Sequence, residues 1–424
     1  MRIEKTNKVR LWSKYFIILI LANVLAGGCL QFYNSTCSLY VDFLGGEASF
    51  AGTALTMFTI AATVMRIVAG RTLDRKGRRI VIVIGLAIFA AASVASMIPT
   101  LALIPVFRFV QGAGYSIATT GLSAAVADVV PRHRMGEGIG YFGLGNSISM
   151  AVGPAVALAL CEGDNYNPVF ITATAILVVC MLVVFFLVRY EKDKKFQERK
   201  AMEYVPTAGE QAVRAASDTA AAETEYRGAW KFFEKSALKP TFVSLFLSLT
   251  SAATVAFLTL YAKKTGIDAA PYYTINGIVL VAARLLFSRA GDRFAPVISL
   301  VPAFVVGGIG FLFLALSAQT HILFYIAGGL IGLCLGVAQP ILNAESVRYV
   351  SANRRGVASA TYLMSTDVGI GVGGFFWGLI IDAFGGADAV TSFTPVFFGC
   401  ILCLCVSILL SLLWLRSKPG QRVK

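Results

Sequence analysis

Apolar residues run along this chain in twelve long stretches with short polar segments between them. The stretches lie near 15–37, 49–69, 80–98, 100–127, 138–160 and 168–188, then 241–262, 271–288, 296–317, 321–343, 357–381 and 393–415. A helix needs about 20 predominantly apolar residues to cross the ~30 Å hydrocarbon layer of a bilayer, and each stretch meets or approaches that length. An unpaired backbone group in lipid costs several kcal/mol, so each run is expected to be helical throughout. The pattern predicts an all-α integral membrane protein with twelve transmembrane helices. Composition agrees. Of 424 residues, 57% are hydrophobic and 14% charged, and the mean hydropathy is +0.73. Soluble domains carry about 25% charged residues. Disordered chains, coiled coils, collagen and small disulfide scaffolds are excluded on the same grounds.

The net charge of +14 suggests nucleic acid until the charges are located. Of the 37 Lys and Arg, 32 fall in the terminal segments and the alternate loops that lie on the same side as the termini. They include Arg71, Arg75, Lys76, Arg78 and Arg79 after the second run, and eleven between Arg189 and Lys239. The opposite loops hold Lys263 and Lys264 together with Glu47, Glu162, Asp164, Asp268 and Asp388. Basic residues collect on the cytoplasmic side of membrane proteins. Both termini are therefore expected in the cytoplasm, in a multi-pass cell (inner) membrane protein. The positive excess marks topology and contact with anionic lipid, and no nucleic-acid partner is expected. A cleaved signal peptide over the first run would leave eleven spans and invert this pattern, so the run is taken as a retained helix.

The eight cysteines form no framework. Cys180, Cys334, Cys400, Cys403 and Cys405 lie in apolar runs, where thiols behave as small hydrophobes. Cys37 and Cys161 fall near the same outer face, and a bond between them is left open. No metal or other cofactor is expected: Cys400 and Cys403 have ligand-like spacing but no second pair or histidine nearby.

The stretch 189–240 is charged and alanine-rich and reads as a cytoplasmic linker between a first bundle at 1–188 and a second at 241–424. Its end, Trp230-Lys231-Phe232-Phe233 with Lys235, fits a short interfacial amphipathic helix. The halves repeat each other weakly. Arg66, Asp74 and Arg75 return as Arg284, Asp292 and Arg293, offset by 218; Gly136 and Gly153 return as Gly356 and Gly373, offset by 220; Asp128 returns near Glu345. Six spans per half keep the repeat parallel. That is the organisation of a two-bundle transporter with its substrate path near the midplane.

The loop Gly70-Arg71-Thr72-Leu73-Asp74-Arg75-Lys76-Gly77-Arg78-Arg79 resembles the signature loop of the major facilitator superfamily. Arg108-Phe109-Val110-Gln111-Gly112-Ala113-Gly114 is similar to that family's second motif. Gly145 and Gly153-Pro154 are similar to the motif of its twelve-span drug–proton antiporters. The runs 131–138 and 360–371 resemble an efflux branch that includes sugar, drug and metallophore exporters. The chain departs from these patterns at Ala155-Val156-Ala157, where glycines usually follow the proline, at Ser288 and Ala295, and in lacking an acid within span one. The resemblance implies two pseudo-symmetric six-helix bundles and a proton-coupled exporter of a small organic molecule, working by rocker-switch alternating access.

Candidate residues follow. A cation inside a span costs roughly 2.5–3.5 kcal/mol or more, so Arg108 is a functional candidate for proton coupling or anion binding. Its second-half counterpart is expected at Tyr325. Asp367 is the candidate proton carrier, coupled to Arg108; the alternative is a helix-contact acid hydrogen-bonded to its neighbours Thr361 or Tyr362. Asp74, Arg75, Arg78 and Asp128 are expected to latch the inner helix ends as the resemblance implies, with Asp292, Arg293 and Glu345 as the weaker second-half set. Arg66 and Arg284 are expected to snorkel to the interface. Asp42 is expected in an outer loop. Substrate-path candidates are the polar and aromatic residues within spans: Asn23, Gln31, Gln111, Asn146, Asn276, Gln339, Asn343, Tyr362 and Trp377. The expected partners are a small-molecule substrate, protons and the bilayer, around a monomeric protein. The rival class is an organic-anion importer or exchanger with Arg108 as ligand. An enzyme is not expected, because His133 and His321 lie in loops and no nucleophile or metal set accompanies them. No phosphate-binding loop points to ATP.

Overall fold

The computed structural model describes residues 11–131, 134–161, 163–194, 196, 198, 234, 237–287, 296–348, 350 and 355–416, except the side chains at 67, 71, 74–76, 136, 355, 356 and 414–416. The side chains of Asp74 and Arg75, and Asp292, Arg293, Trp230-Lys231-Phe232-Phe233 and Lys235, lie outside this set. Among the described residues, twelve long helices carry the chain back and forth: α1 (Lys14–Phe43), α2 (Ala48–Lys76), α3 (Arg78–Ala95), α4 (Ile104–Val129), α5 (Met135–Leu160), α6 (Asn167–Leu187), α7 (Leu238–Thr265), α8 (Ala270–Phe287), α9 (Pro296–Leu316), α10 (His321–Arg348), α11 (Arg355–Ala383) and α12 (Thr394–Arg416). All twelve are long and apolar enough to cross a membrane. No strand occurs among the described residues.

Several helices outrun their apolar stretches, because i→i−4 hydrogen bonding continues into the polar margin. Thus α1 extends to Phe43, and Asp42 stands in its last turn instead of in a loop. Gly77, at φ 80, makes the turn from α2 to α3, a conformation with no Cβ penalty for glycine alone. The outer surface is apolar, with Leu286 75% exposed and Leu402 66%. That surface suits a lipid solvent.

The halves pack by one scheme. In the first, α2 and α3 lie on α4, α1 on α5, and α3 and α1 on α6. In the second, α8 and α9 lie on α10, α7 on α11, and α9 and α7 on α12. The small residues that allow close approach exchange places between halves. Gly27 receives Ser149 where α1 meets α5, and Gly369 receives Ser248 where α7 meets α11. Matching contacts also register α4 against α10: Gly112 lies on the Phe58 backbone, and Gly332 on that of Asn276. This register puts Gly328, not Tyr325, opposite Arg108.

Between the halves, α2 packs on α11, α5 on α8, and α1 on α7. These contacts are tightest at the end away from the chain termini, here the distal end. There a Cβ on Gly52 would collide with the Gly374 carbonyl, and one on Gly378 with Ser49. The Asp382 carboxylate accepts from Ala48 N (3.0 Å) and Ser49 N (2.8 Å) at the start of α2, where the helix dipole favours an anion. Ser38 and Thr259, equivalent in the two halves, touch at 3.4 Å. Beyond them Asp42 meets Lys264 (3.0 Å) and Lys263 (3.8 Å), Lys263 meets Asp164 (3.3 Å), and Lys264 meets Asp388 (2.7 Å). The Lys264 ammonium, hydrogen-bonded to Asp388, holds that carboxyl below its usual range. The Asp388 contribution is therefore complete at neutral pH and is lost only as pH falls through the lowered value. Cys37 and Cys161 are both free thiols.

Candidate functional site

Between the halves lies a cavity of about 570 Å³, a volume suited to a drug- or metabolite-sized molecule. Eight helices line it: α1, α2, α4 and α5 from the first half, and α7, α8, α10 and α11 from the second. Its distal limit is the packed contact of α2 with α11 and of α1 with α7. Towards the other end it reaches Ser123, Gln339 and Leu363. Amides and hydroxyls dominate its polar lining. Asn23 donates to the Asn146 carbonyl oxygen (2.9 Å) and to Phe142 O (3.3 Å), joining α1 to α5. Asn34 donates to Gln31 one turn away (3.0 Å). Asn276 donates to Gly328 O (2.9 Å). Gly153-Pro154 sets α5 against α1, with Gly153 over Gln31 and Pro154 in the wall.

One ion pair stands in this wall. Arg66 Nη2 on α2 lies 3.4 Å from Asp367 Oδ2 on α11, so the pair bridges the two halves. Three expectations change here. Arg66 does not snorkel outward; it faces the cavity. Asp367 is paired with Arg66 and not with Arg108. The neighbours proposed to hold Asp367 are engaged elsewhere, since Thr361 Oγ1 donates to Val357 O and Tyr362 Oη donates to Gln339 O.

Arg284, the repeat of Arg66, is half-buried and likewise turns into the protein instead of snorkelling. It donates to Ser147 Oγ (2.7 Å), Gly143 O (3.3 Å) and Gln339 Oε1 (2.8 Å). Ser147 is the repeat of Asp367. The same joint is thus built twice, once with a carboxylate and once with a hydroxyl.

Arg108 is 3% exposed and lies behind the wall. It donates to Asn34 Oδ1 (2.8 Å) and Gln111 Oε1 (3.1 Å), and its guanidinium stacks 4.6 Å from the Phe58 ring centroid. Gln111 in turn donates to Ser96 Oγ (3.0 Å). The cation is held by amides and a ring, and it orients Asn34, which does reach the cavity. The Arg108→Ala variant is expected to lower the melting temperature of the purified protein while leaving transport measurable. Stranding the Gln111 carbonyl costs about 1–3 kcal/mol, and the lost ring contact adds roughly 0.5–2 kcal/mol. An unchanged melting curve with transport abolished would return Arg108 to the coupling machinery.

The remaining path candidates divide. Asn23, Gln31, Asn146, Asn276 and Gln339 line the cavity. Gln111 is buried behind it with Arg108. Tyr362 is buried one layer back. Asn343 is exposed beyond its limit. Trp377 is sealed between Gly399 and α7, donating to Leu249 O (2.8 Å). Polarity inside a span marked these residues as candidates, but not which face of the helix each occupies. Arg66, Asn34, Tyr115 and the pair Tyr272 and Tyr273 line the cavity without having been singled out for it; the arginine within a span was the available signal for Arg66.

At the end carrying the termini, Arg78 Nε lies 2.8 Å from Asp128 Oδ2, to which Tyr190 also donates (3.0 Å). Burial and that carboxylate push the Tyr190 phenol well above its usual value, so it remains a donor. Glu191 accepts from the Arg78 backbone N–H (2.9 Å). In the second half Glu345 is buried and paired with Arg348 at 2.6 Å.

Comparison with known proteins agrees with this architecture. Staphylopine export protein of Staphylococcus aureus (strain Mu50) is 23% identical over 406 residues, 93% of this chain and 95% of that protein. Multidrug resistance protein MdtG of Salmonella typhimurium is 23% identical over 360 residues, 80% and 83% of the two chains. Multidrug resistance protein 1 of Bacillus subtilis is 27% identical over 180 residues, 38% of this chain and 46% of its own length. Among solved structures, a bacterial homolog of the human lysosomal transporter Spinster, inward-facing and unoccupied, superposes with a TM-score of 0.73 at 13% identity, covering 96% and 98%. A point mutant of the nucleoside transporter NupG gives a TM-score of 0.72 at 14% identity, covering 96% and 100%. The sequence model of the Major Facilitator Superfamily matches residues 19–289 and 272–424. With a family match over nearly its whole length and this twelve-helix, two-half architecture, the chain belongs to the major facilitator superfamily of membrane transporters.

Proposed function

We propose that this transporter is a proton-coupled exporter of a small organic molecule, with Asp367 as the carboxylate that gains and loses the proton. The observation that carries this reading is the Arg66–Asp367 pair, an ion pair in the cavity wall with one partner on each half. Separating the halves separates the pair, and a carboxylate that loses its cation in a low-dielectric wall binds a proton more readily. Movement and protonation are then linked through one contact. The repeat-related Arg284–Ser147 contact has no such proton to exchange.

Orientation follows from the loops. Their basic residues support a cytoplasmic location for the termini. The distal contacts then close the cavity to the outside, and the described state is the one that loads from within. The names of the relatives, a staphylopine exporter and multidrug resistance proteins, point in the same direction.

Inverted vesicles with an acid lumen and a mixed pool of metabolites and drugs test the reading by mass spectrometry. The expected result is accumulation of one compound or class, lost when an ionophore dissipates the gradient. Accumulation that ignores the ionophore and follows a counter-substrate would replace antiport with exchange.

A further inference from the structure

The three arginines within the spans are satisfied to different degrees, and the difference points to a ligand. Arg108 and Arg284 each give both terminal nitrogens to amide, hydroxyl or carbonyl oxygens. Arg66, at the repeat position of Arg284, makes no hydrogen bond among the described residues and meets Asp367 at the longer distance of 3.4 Å. The Arg66 side chain is 31% exposed and that of Asp367 20%, in the cavity wall. In the second half's wall, the hydroxyls of Tyr272 and Tyr273 are buried without a hydrogen-bond partner. Donors in the lining are thus left with unused capacity.

Charge balance then selects the ligand. Among the described residues the lining holds one cation and one anion; the rest are amides, hydroxyls, rings and aliphatic groups. An organic cation that takes Asp367 leaves Arg66 unpaired in a poorly solvated wall, and an organic anion that takes Arg66 strands Asp367. Removing one partner of a buried pair is strongly unfavourable. A molecule carrying both charges replaces both partners at once, and Arg66 presents the planar fork that matches a carboxylate.

We propose that Arg66 and Asp367 are the head-group site for a net-neutral zwitterion, binding its carboxylate and its ammonium respectively. This deepens the exporter reading, on which it rests, by giving the class of molecule exported. It also makes proton and ammonium rivals for one carboxylate, so a zwitterion that binds where Asp367 is protonated displaces that proton. The ionisable groups facing Asp367 are Arg66 on α2 and Tyr115 on α4; α7, packed on its other side, has none between Pro240 and Leu260.

The test uses the full chain in lipid nanodiscs and isothermal titration calorimetry. Two scaffolds, tryptophan and the dipeptide phenylalanyl-tyrosine, are each supplied as the zwitterion, the N-acetylated anion and the carboxamide cation. The zwitterion of at least one scaffold is expected to bind ten times or more tighter than its two singly charged forms, with proton release that grows as the buffer is made more acidic. Arg66→Gln is expected to shift preference to the cation and Asp367→Asn to the anion, a reversal that a merely structural pair would not give. Equal binding of all three forms, tighter binding of a singly charged form, or no binding by protein with an intact melting transition would overturn the proposal. Calorimetry does not depend on transport. Zwitterion binding without gradient-driven movement would sink the exporter reading alone, and gradient-driven movement of a lipophilic cation such as tetraphenylphosphonium without zwitterion binding would sink this one alone.

Discussion

The Asp367→Asn variant is expected to lose uphill, gradient-driven transport completely while still exchanging substrate down its own gradient at a higher KM. Asparagine keeps the size and most of the hydrogen bonding of the side chain but carries no exchangeable charge. Arg66 then faces a neutral amide 3.4 Å away in place of a carboxylate. The halves can still rock, since their distal packing does not involve this residue, but no proton travels with the movement. The measurement compares proteoliposomes under an imposed pH gradient with the same vesicles in counterflow at equal pH. Asp367→Glu, which restores the carboxylate at a longer reach, is expected to recover part of the coupling. An asparagine variant that still concentrates substrate against its gradient would remove Asp367 from the proton path.

The second large effect is expected at Gly52. Here α2 and α11 touch through their backbones, and any Cβ at Gly52 would fall on the Gly374 carbonyl oxygen. Backbone cannot step aside as a flexible side chain can. Gly52→Leu is therefore expected to hold the distal end open. A penalty of about 3 kcal/mol, the upper end for overpacking, lowers the ratio of closed to open roughly a hundredfold. Transport falls with it, whereas folding and membrane insertion persist because each half keeps its own contacts. A cysteine introduced at Ser38, which meets Thr259 in the closed distal end, reports the change. It is expected to react with an impermeant maleimide from the distal side in the leucine background and to be protected otherwise. Protection in both backgrounds would show that the glycine contact does not govern closure.

The twelve helices were legible because a bilayer imposes one rule on every span, and a run of apolar residues obeys it regardless of its neighbours. The site was legible in part. Asp367 and Arg66 were visible as charges within or at the edge of spans, and Asn23, Asn146 and Gln339 as polar breaks in apolar runs. What could not be read was rotation about each helix axis. Arg66 lies near the end of an apolar run, a position equally suited to snorkelling or to facing inward, and only the packing of α2 against α11 separates these. Arg108 looked like the stronger candidate because it lies deeper. Depth in the membrane says nothing of depth in the protein, and its guanidinium is enclosed by Asn34, Gln111 and Phe58. The repeat was legible in its loop motifs and faint elsewhere, because Gly27 and Ser149 return as Ser248 and Gly369 with their roles exchanged.

The residues on the local twofold axis carry a further meaning. Each meets its own counterpart, so a position there cannot hold the same charge in both halves. Asp42 corresponds to Lys263, and the two face each other where α1 and α7 end. Were either half to pair with a duplicate of itself, two carboxylates or two ammonium groups would confront each other across the axis. The opposite charges thus make the halves mutually selective. At this joint the two halves carry opposite charges at equivalent positions, so the contact favours the heterologous pair over either half meeting a copy of itself.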